Sequence, residues 1–218
     1  MGKALEQATS LAPNLEKQTP HRVMRELYGQ FVRYAQMLIA AIPTYEERHN
    51  PIANVSGATM STLSAICGAI DYKSVQSVAP LVSQSSPPTK PLSVTDRADA
   101  ELVDTSSQIC SDWISSSQQY DKDTAEWRAI DPNISAADWT PEQKEVYGRV
   151  STIMTAHAEE MENLGRASGS SLMEDFAVLG AQYLRAYVIA IPKYTPADNY
   201  LSDVARYTGS ALLWACRA

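Results

Sequence analysis

The sequence predicts an all-α protein built as two related antiparallel helical bundles, with about seven helices in all. Three observations lead there. Residues 23–69 overlay residues 172–218 without a gap at a constant offset of 149, so that Ala41-Ile42-Pro43-x-Tyr45 falls on Ala190-Ile191-Pro192-x-Tyr194, and such self-similarity is the signature of a repeated structural unit. Apolar residues recur at three- and four-residue spacing through most of the chain, the period of a half-buried helix. Pro, Gly and Ser clusters punctuate those runs at helix-length intervals.

The first repeat reads as helices over about 3–17, 20–42 and 52–69, with Pro20, Pro43 and Pro51 as the breaks. Met1 aligns with Val150, so nothing within the sequence matches 95–149, and the first repeat lacks its first helix. A Pro-rich stretch, Ser85-Ser86-Pro87-Pro88-Thr89-Lys90-Pro91, has no periodicity and reads as a stiff connector. The chain therefore divides into an incomplete first repeat (1–70), a connector (71–94) and a four-helix second repeat (95–218).

In the second repeat a long helix is expected from Val94 to Ala129, opened by Thr95 or Asp96 and stopped by Asp131-Pro132-Asn133. Thr140-Pro141-Glu142-Gln143 is a capping box with Pro at the first helical position. The helix it opens carries Val146, Val150, Ile153, His157, Met161 and Leu164 on one seam and ends near Gly165. A third helix runs over about 171–190, and a fourth opens at Asp198 or Ser202 and reaches the C-terminus. Four helices with short connections pack most simply as an up-down bundle.

Composition narrows the function. A formal charge of −7 and a pI near 5.0, with no basic stripe, argue against nucleic acid as a partner. Met1–Pro20 lacks the charged start and apolar run of a signal peptide, and no stretch has the roughly 18 apolar residues of a membrane span, so the chain as given reads as soluble. Two Phe stand against eleven Tyr and four Trp, so most large core residues carry a polar tip that needs a partner. Trp113 reads as core; Trp127 and Trp139 read either as core or as partner-binding anchors.

Cys67 and Cys216 occupy matching places near the ends of the two fourth helices, and Cys110 lies in the first helix of the second bundle. First and fourth helices of an up-down bundle are neighbours, which makes a Cys110–Cys216 bridge geometrically reasonable and leaves Cys67 unpaired. A Cys67–Cys110 pair and three reduced core cysteines are the alternatives. His157 sits on an apolar seam with Glu160 one turn on, a weak pointer to a ligand or metal, since di-metal bundles use the order Glu-x-x-His on two helices. No zinc motif, Cys-x-x-Cys, nucleophile elbow or phosphate-binding glycine loop is present. No catalytic residue, metal or cofactor is predicted.

The strings Asp131-Pro132-Asn133-Ile134-Ser135-Ala136-Ala137-Asp138-Trp139-Thr140-Pro141-Glu142-Gln143 and Tyr194-Thr195-Pro196-Ala197-Asp198-Asn199-Tyr200-Leu201 resemble uncharacterised mycobacterial and actinobacterial envelope proteins. In those, a Cys-containing helical domain follows an N-terminal membrane anchor. The resemblance implies an extracytoplasmic location and brings no activity or catalytic residues with it.

The function expected is a non-enzymatic interaction or scaffold module of the cell envelope, with a protein partner or self-association. The groove that a first helix would have filled is the expected interaction site, lined by Val23, Leu27, Tyr34, Met37 and Leu38, and contiguous apolar surface of that kind marks binding. Two alternatives are a lipid-like ligand held between helices by Met154, Met161, Phe176, Leu179 and Tyr183, and a metal-dependent oxidoreductase centred on His157 and Glu160.

Overall fold

The computed structural model describes residues 2–89 and 101–218. Every regular element among them is helical. Seven helices are long: α1 (Gly2–Gln18), α2 (Arg22–Ala41), α3 (Asn50–Asp71), α5 (Gln108–Asp123), α7 (Pro141–Ala167), α8 (Ser171–Ala190) and α9 (Asn199–Ala215). Two are short, α4 (Ser74–Val78) and α6 (Ala125–Arg128).

The local chemistry explains the boundaries. Thr140 Oγ1 accepts from the Gln143 N–H at 3.2 Å while Gln143 Oε1 accepts from the Thr140 N–H at 2.9 Å, so α7 starts with the capping box written in its sequence. Ser170 caps α8 with a single side-chain bond, its hydroxyl accepting from the Met173 N–H. The helix expected from Val94 is shorter than the apolar pattern suggested. Residues 95–100 lie outside the described residues, and α5 begins only at Gln108, capped by Ser107. Asp104 Oδ1 accepts from both the Ser106 N–H and its hydroxyl, a side-chain turn that competes with helix. Leu102 and Val103 are instead buried in a non-helical segment tied down by the Ser170 hydroxyl on the Leu102 carbonyl. The far end breaks at Thr124, whose hydroxyl donates back to the Tyr120 carbonyl at 2.7 Å.

In the second half α5, α7, α8 and α9 close a ring of antiparallel neighbours, each packing on the next. In the first half α1 packs on α2 and α2 on α3. The halves meet along α3 and α9, with α2 against α8 beside them. The approach is close enough that a Cβ on Gly68 would sit 2.5 Å from the Tyr200 ring. One apolar core consequently runs from Leu27 and Val55 through Phe176 and Leu212, while α1 has its own small cluster of Ala12, Phe31 and Ala35. A helix with so little buried surface, and with Pro13 removing an internal hydrogen bond, opens readily. Amide exchange should therefore be faster throughout 2–18 than in α8, whose inner face is buried.

Part of the connector is anchored. Arg166 donates to the Ser86 carbonyl at 2.9 Å and the Pro87 carbonyl at 3.2 Å, and the buried Glu174 carboxylate accepts from the Thr89 N–H at 2.9 Å. Arg166 pairs in turn with Glu174 at 2.9 Å and Glu162 at 2.8 Å. Before it, α4 and the turn Ala79–Leu81 lie against α8 and α9.

Element boundaries coincide at the sequence offset: α2 and α8, the 3-10 turns Ile42–Thr44 and Ile191–Lys193, the turns Glu47–His49 and Pro196–Asp198, and the starts of α3 and α9 all differ by 149.

Candidate functional site

In the second half a cap covers one end and one face of the bundle. Cys110, in the first turn of α5, stands at bonding distance from Cys216 of α9, with Cα atoms 5.2 Å apart. One turn on, the Trp113 indole N–H donates to the Gly209 carbonyl at 3.3 Å, laying α5 along the outer face of α9. The loop between α6 and α7 completes the cap. Asp131 Oδ1 accepts from the Asn133 N–H, turning the chain, and the Trp139 N–H donates to the Ile134 carbonyl at 3.0 Å. The Trp139 ring stacks on Tyr147 at 3.6 Å and lies 5.6 Å from Tyr194. Tyr194 donates its hydroxyl to the Pro132 carbonyl and accepts the Ala136 N–H at its own carbonyl. Trp127 donates to the Tyr187 hydroxyl at 3.1 Å. Trp139 is thus a buried core anchor and Trp127 a half-buried one.

The matching positions of the first half have no such cover. Ile42 is 41% exposed where Ile191 is 6%, and Tyr45 is 45% exposed where Tyr194 is 1%. Cys67 is at the surface where Cys216 is buried. On α1, Leu11 and Leu15 are exposed. On α3 the exposed stripe Gly57, Met60, Ser64 and Cys67 corresponds to Arg206, Gly209, Leu213 and Cys216, the face of α9 that α5 overlies. Met60 and Ser64 form one wall of an open groove whose other wall is Tyr200 and Tyr207. All the exposed large apolar side chains among the described residues fall between Leu11 and Leu81. Burial holds the flanking phenols of Tyr28 and Tyr183 above their usual range, with the Cys67 sulfur adding to the effect.

This relocates the accessible apolar surface. Of the five residues expected to line a groove, Leu27 and Tyr34 are buried in the shared core, Val23 and Leu38 are half-buried, and Met37 is exposed. The lateral docking of α2 and α3 against α8 and α9 covers the stripe, so the open surface is on α1, α3 and the turn after α2.

His157 is half-buried and stacked on Tyr120 at 4.0 Å, with its Nδ1 3.5 Å from the Ser116 hydroxyl; Glu160 is exposed. Burial lowers the His157 pKa to about 4, so the ring is neutral. Among the described residues no three His, Cys, Asp or Glu side chains come together as a metal site. Beside His157 lies a cavity of about 100 Å³ lined by Trp113, Tyr120, Trp127, Met161 and Leu184. Of the residues expected to hold a lipid-like ligand, Met161 alone borders it; Met154 and Phe176 are packed in the core.

A feature the sequence reading missed lies between the halves. Glu26 of α2 and Asp175 of α8, equivalent at the offset of 149, are both buried and share Arg22, whose Nε is 3.0 Å from Glu26 and 2.7 Å from Asp175. One cation cannot balance two buried carboxylates. Burial first, then the neighbouring Asp175 carboxylate, raise the Glu26 pKa from 4.5 to about 8, with Arg22 opposing, so at neutral pH the proton stays on Glu26. Because the folded value exceeds the unfolded one, this group's contribution to stability is intact below pH 4.5, declines as pH rises, and levels off above about 8. Glu26→Gln should flatten that decline. Urea unfolding should show little change near pH 5 and a gain on the order of 1–3 kcal/mol near pH 8.5.

Fold and surface together define a class: an all-helical protein with a capped half and an apolar uncapped half. The chain belongs to the family described as mycobacterial ESX-1 associated protein, whose model matches residues 1–218. An uncharacterised protein of Mycolicibacterium smegmatis (strain MKD8) is 38% identical over 219 residues, covering 100% of this chain and 58% of that protein. The chain thus spans under two thirds of that relative's length. No solved structure matches. No helix among the described residues is long and apolar enough to cross a membrane.

Proposed function

We propose that the chain is a non-enzymatic interaction module working with the ESX-1 secretion system on the extracytoplasmic side of the envelope. It is a duplicated helical unit: an incomplete repeat over 1–70, a connector over 71–94 and a complete repeat over 95–218. The observation that carries this reading is the asymmetry of matched positions, since Ile42, Tyr45 and Cys67 are open where Ile191, Tyr194 and Cys216 are covered. Apolar surface of that extent in one half supports a partner-binding role. The family description supports the secretion-system context. A Cys110–Cys216 bridge suits an oxidising compartment.

The test is purification of the tagged full chain from mycobacterial cells under native conditions, followed by mass measurement of the particle. A stoichiometric complex with another protein is expected, and Tyr45→Asp or Leu11→Glu should release that protein. A monomer in cells making the secretion system would refute the reading. The lipid-carrier alternative gains no support from the cavity beside His157, which at about 100 Å³ is smaller than the roughly 300–1,000 Å³ of drug-sized ligand sites, and the larger cleft of about 510 Å³ beside α4 is lined by none of the residues expected to hold such a ligand.

A further inference from the structure

We infer that the cavity beneath α5 in the capped half is a binding site for a small uncharged molecule with an apolar body of about one aromatic ring and an oxygen that accepts a hydrogen bond. This goes beyond the partner-binding reading and does not depend on it. The void of about 100 Å³ is bordered by residues of α5, α6, α7, α8 and α9. Trp113 and Trp127 contribute aromatic rings to its wall, and Met161 and Leu184 contribute apolar ends. An enclosed apolar cavity of roughly 150 Å³ takes up benzene. Here a cleft of about 300 Å³ adjoins the void, sharing Trp127, Arg128, Ser202 and Arg206 with it, and provides both the way in and extra room.

The backbone of α9 gives an independent sign that this space is kept open. Gly209 lies well inside the helix, where glycine is weaker than alanine, and it borders the void. Its φ is not in the left-handed region, so the conformation does not require glycine. Crowding does not require it either, since an added Cβ would meet nothing closer than Met161 Cε at 3.8 Å. The first half carries Met60 at the matching position. A side chain of that length at 209 would occupy the void that glycine leaves.

The polar groups specify the ligand. Tyr120 borders the void, and its hydroxyl has no hydrogen-bond partner among the described residues. Burial holds that phenol well above its usual range, so it remains a donor at any physiological pH. His157, stacked on the Tyr120 ring at 4.0 Å, is kept neutral by its own burial. The charges at the rim are already matched, Arg128 with Asp121 at 2.8 Å and Arg206 with Asp203 at 2.8 Å. An ionic ligand would lose its hydration with no free counter-charge to replace it, whereas a neutral one needs only an oxygen facing Tyr120.

Phenol is the probe, with one ring, one oxygen and no charge near neutral pH. Titration of the oxidised full chain, followed through the indole N–H resonances, should move Trp113 and Trp127 saturably with a Kd on the order of 1 mM or tighter. Gly209→Met should weaken phenol binding at least on the order of tenfold while the chain still melts cooperatively. Should that variant fail to fold, Tyr120→Phe decides: it should weaken phenol by about fivefold and leave benzene binding unchanged. No saturable shift, which would leave water as the occupant, overturns the inference. So does equal phenol affinity in the parent and a folded Gly209→Met, or in the parent and Tyr120→Phe.

Discussion

Trp139→Ala is expected to destabilise the protein by about 3–5 kcal/mol, the range for truncating a buried aromatic. At this chain length that lowers the melting temperature on the order of 10 °C. The indole is 6% exposed, stacks on Tyr147 at 3.6 Å, and closes the 129–140 loop through its N–H bond to Ile134. Its loss removes a large apolar body, two ring contacts and the tie that holds the loop over Ile191 and Tyr194. Trp139→Phe keeps the stacking and forfeits the hydrogen bond, so it should recover more than half of the loss. Thermal melts of the three proteins, followed in the near-ultraviolet, make the comparison. A Trp139→Ala variant as stable as the parent would mean that the loop is not part of the core.

Cys110→Ser or Cys216→Ser is expected to cost about 2–4 kcal/mol in protein folded under oxidising conditions. A Cys110–Cys216 bridge would close a separation of 106 residues and tie α5 to the end of α9. The loss has two components, the entropy returned to the unfolded chain and the loosening of α5, whose buried contacts are few beyond Cys110 and Trp113. The two variants should agree with each other and with reduced parent protein, and reductant should leave the variants unaffected. Cys67→Ser should leave stability unchanged, because the side chain is at the surface.

How much of this was legible in sequence depended on whether a signal was local. The capping box at Thr140 and Gln143 is four residues long and complete in itself, and α7 starts there. The breaks at Pro20, Pro43 and Pro51 likewise act on the nearest turn. The start of α5 lies later than apolar spacing through Leu102 predicts, because Asp104 and Ser106 form a competing turn whose strength the period does not report. The lateral packing of the halves was not legible. It buries Leu27 and Tyr34, which an isolated first repeat would leave open. It also buries Glu26 and Asp175, which look like ordinary surface carboxylates when each helix is read alone. The repeat offset did pair those two positions, yet pairing in register says nothing about meeting in space. Tyr45 and Tyr194 show the same limit from the other side, since identical residues in identical turns differ in exposure by what lies over them.

The central claim is that one half is capped and the matching face of the other is open. Thiol counting in protein folded in an oxidising compartment tests it most directly. The native chain should react quickly at one thiol, Cys67, and denaturation without reductant should add none. Three thiols after denaturation, or no reactive thiol in the isolated native chain, would contradict the account.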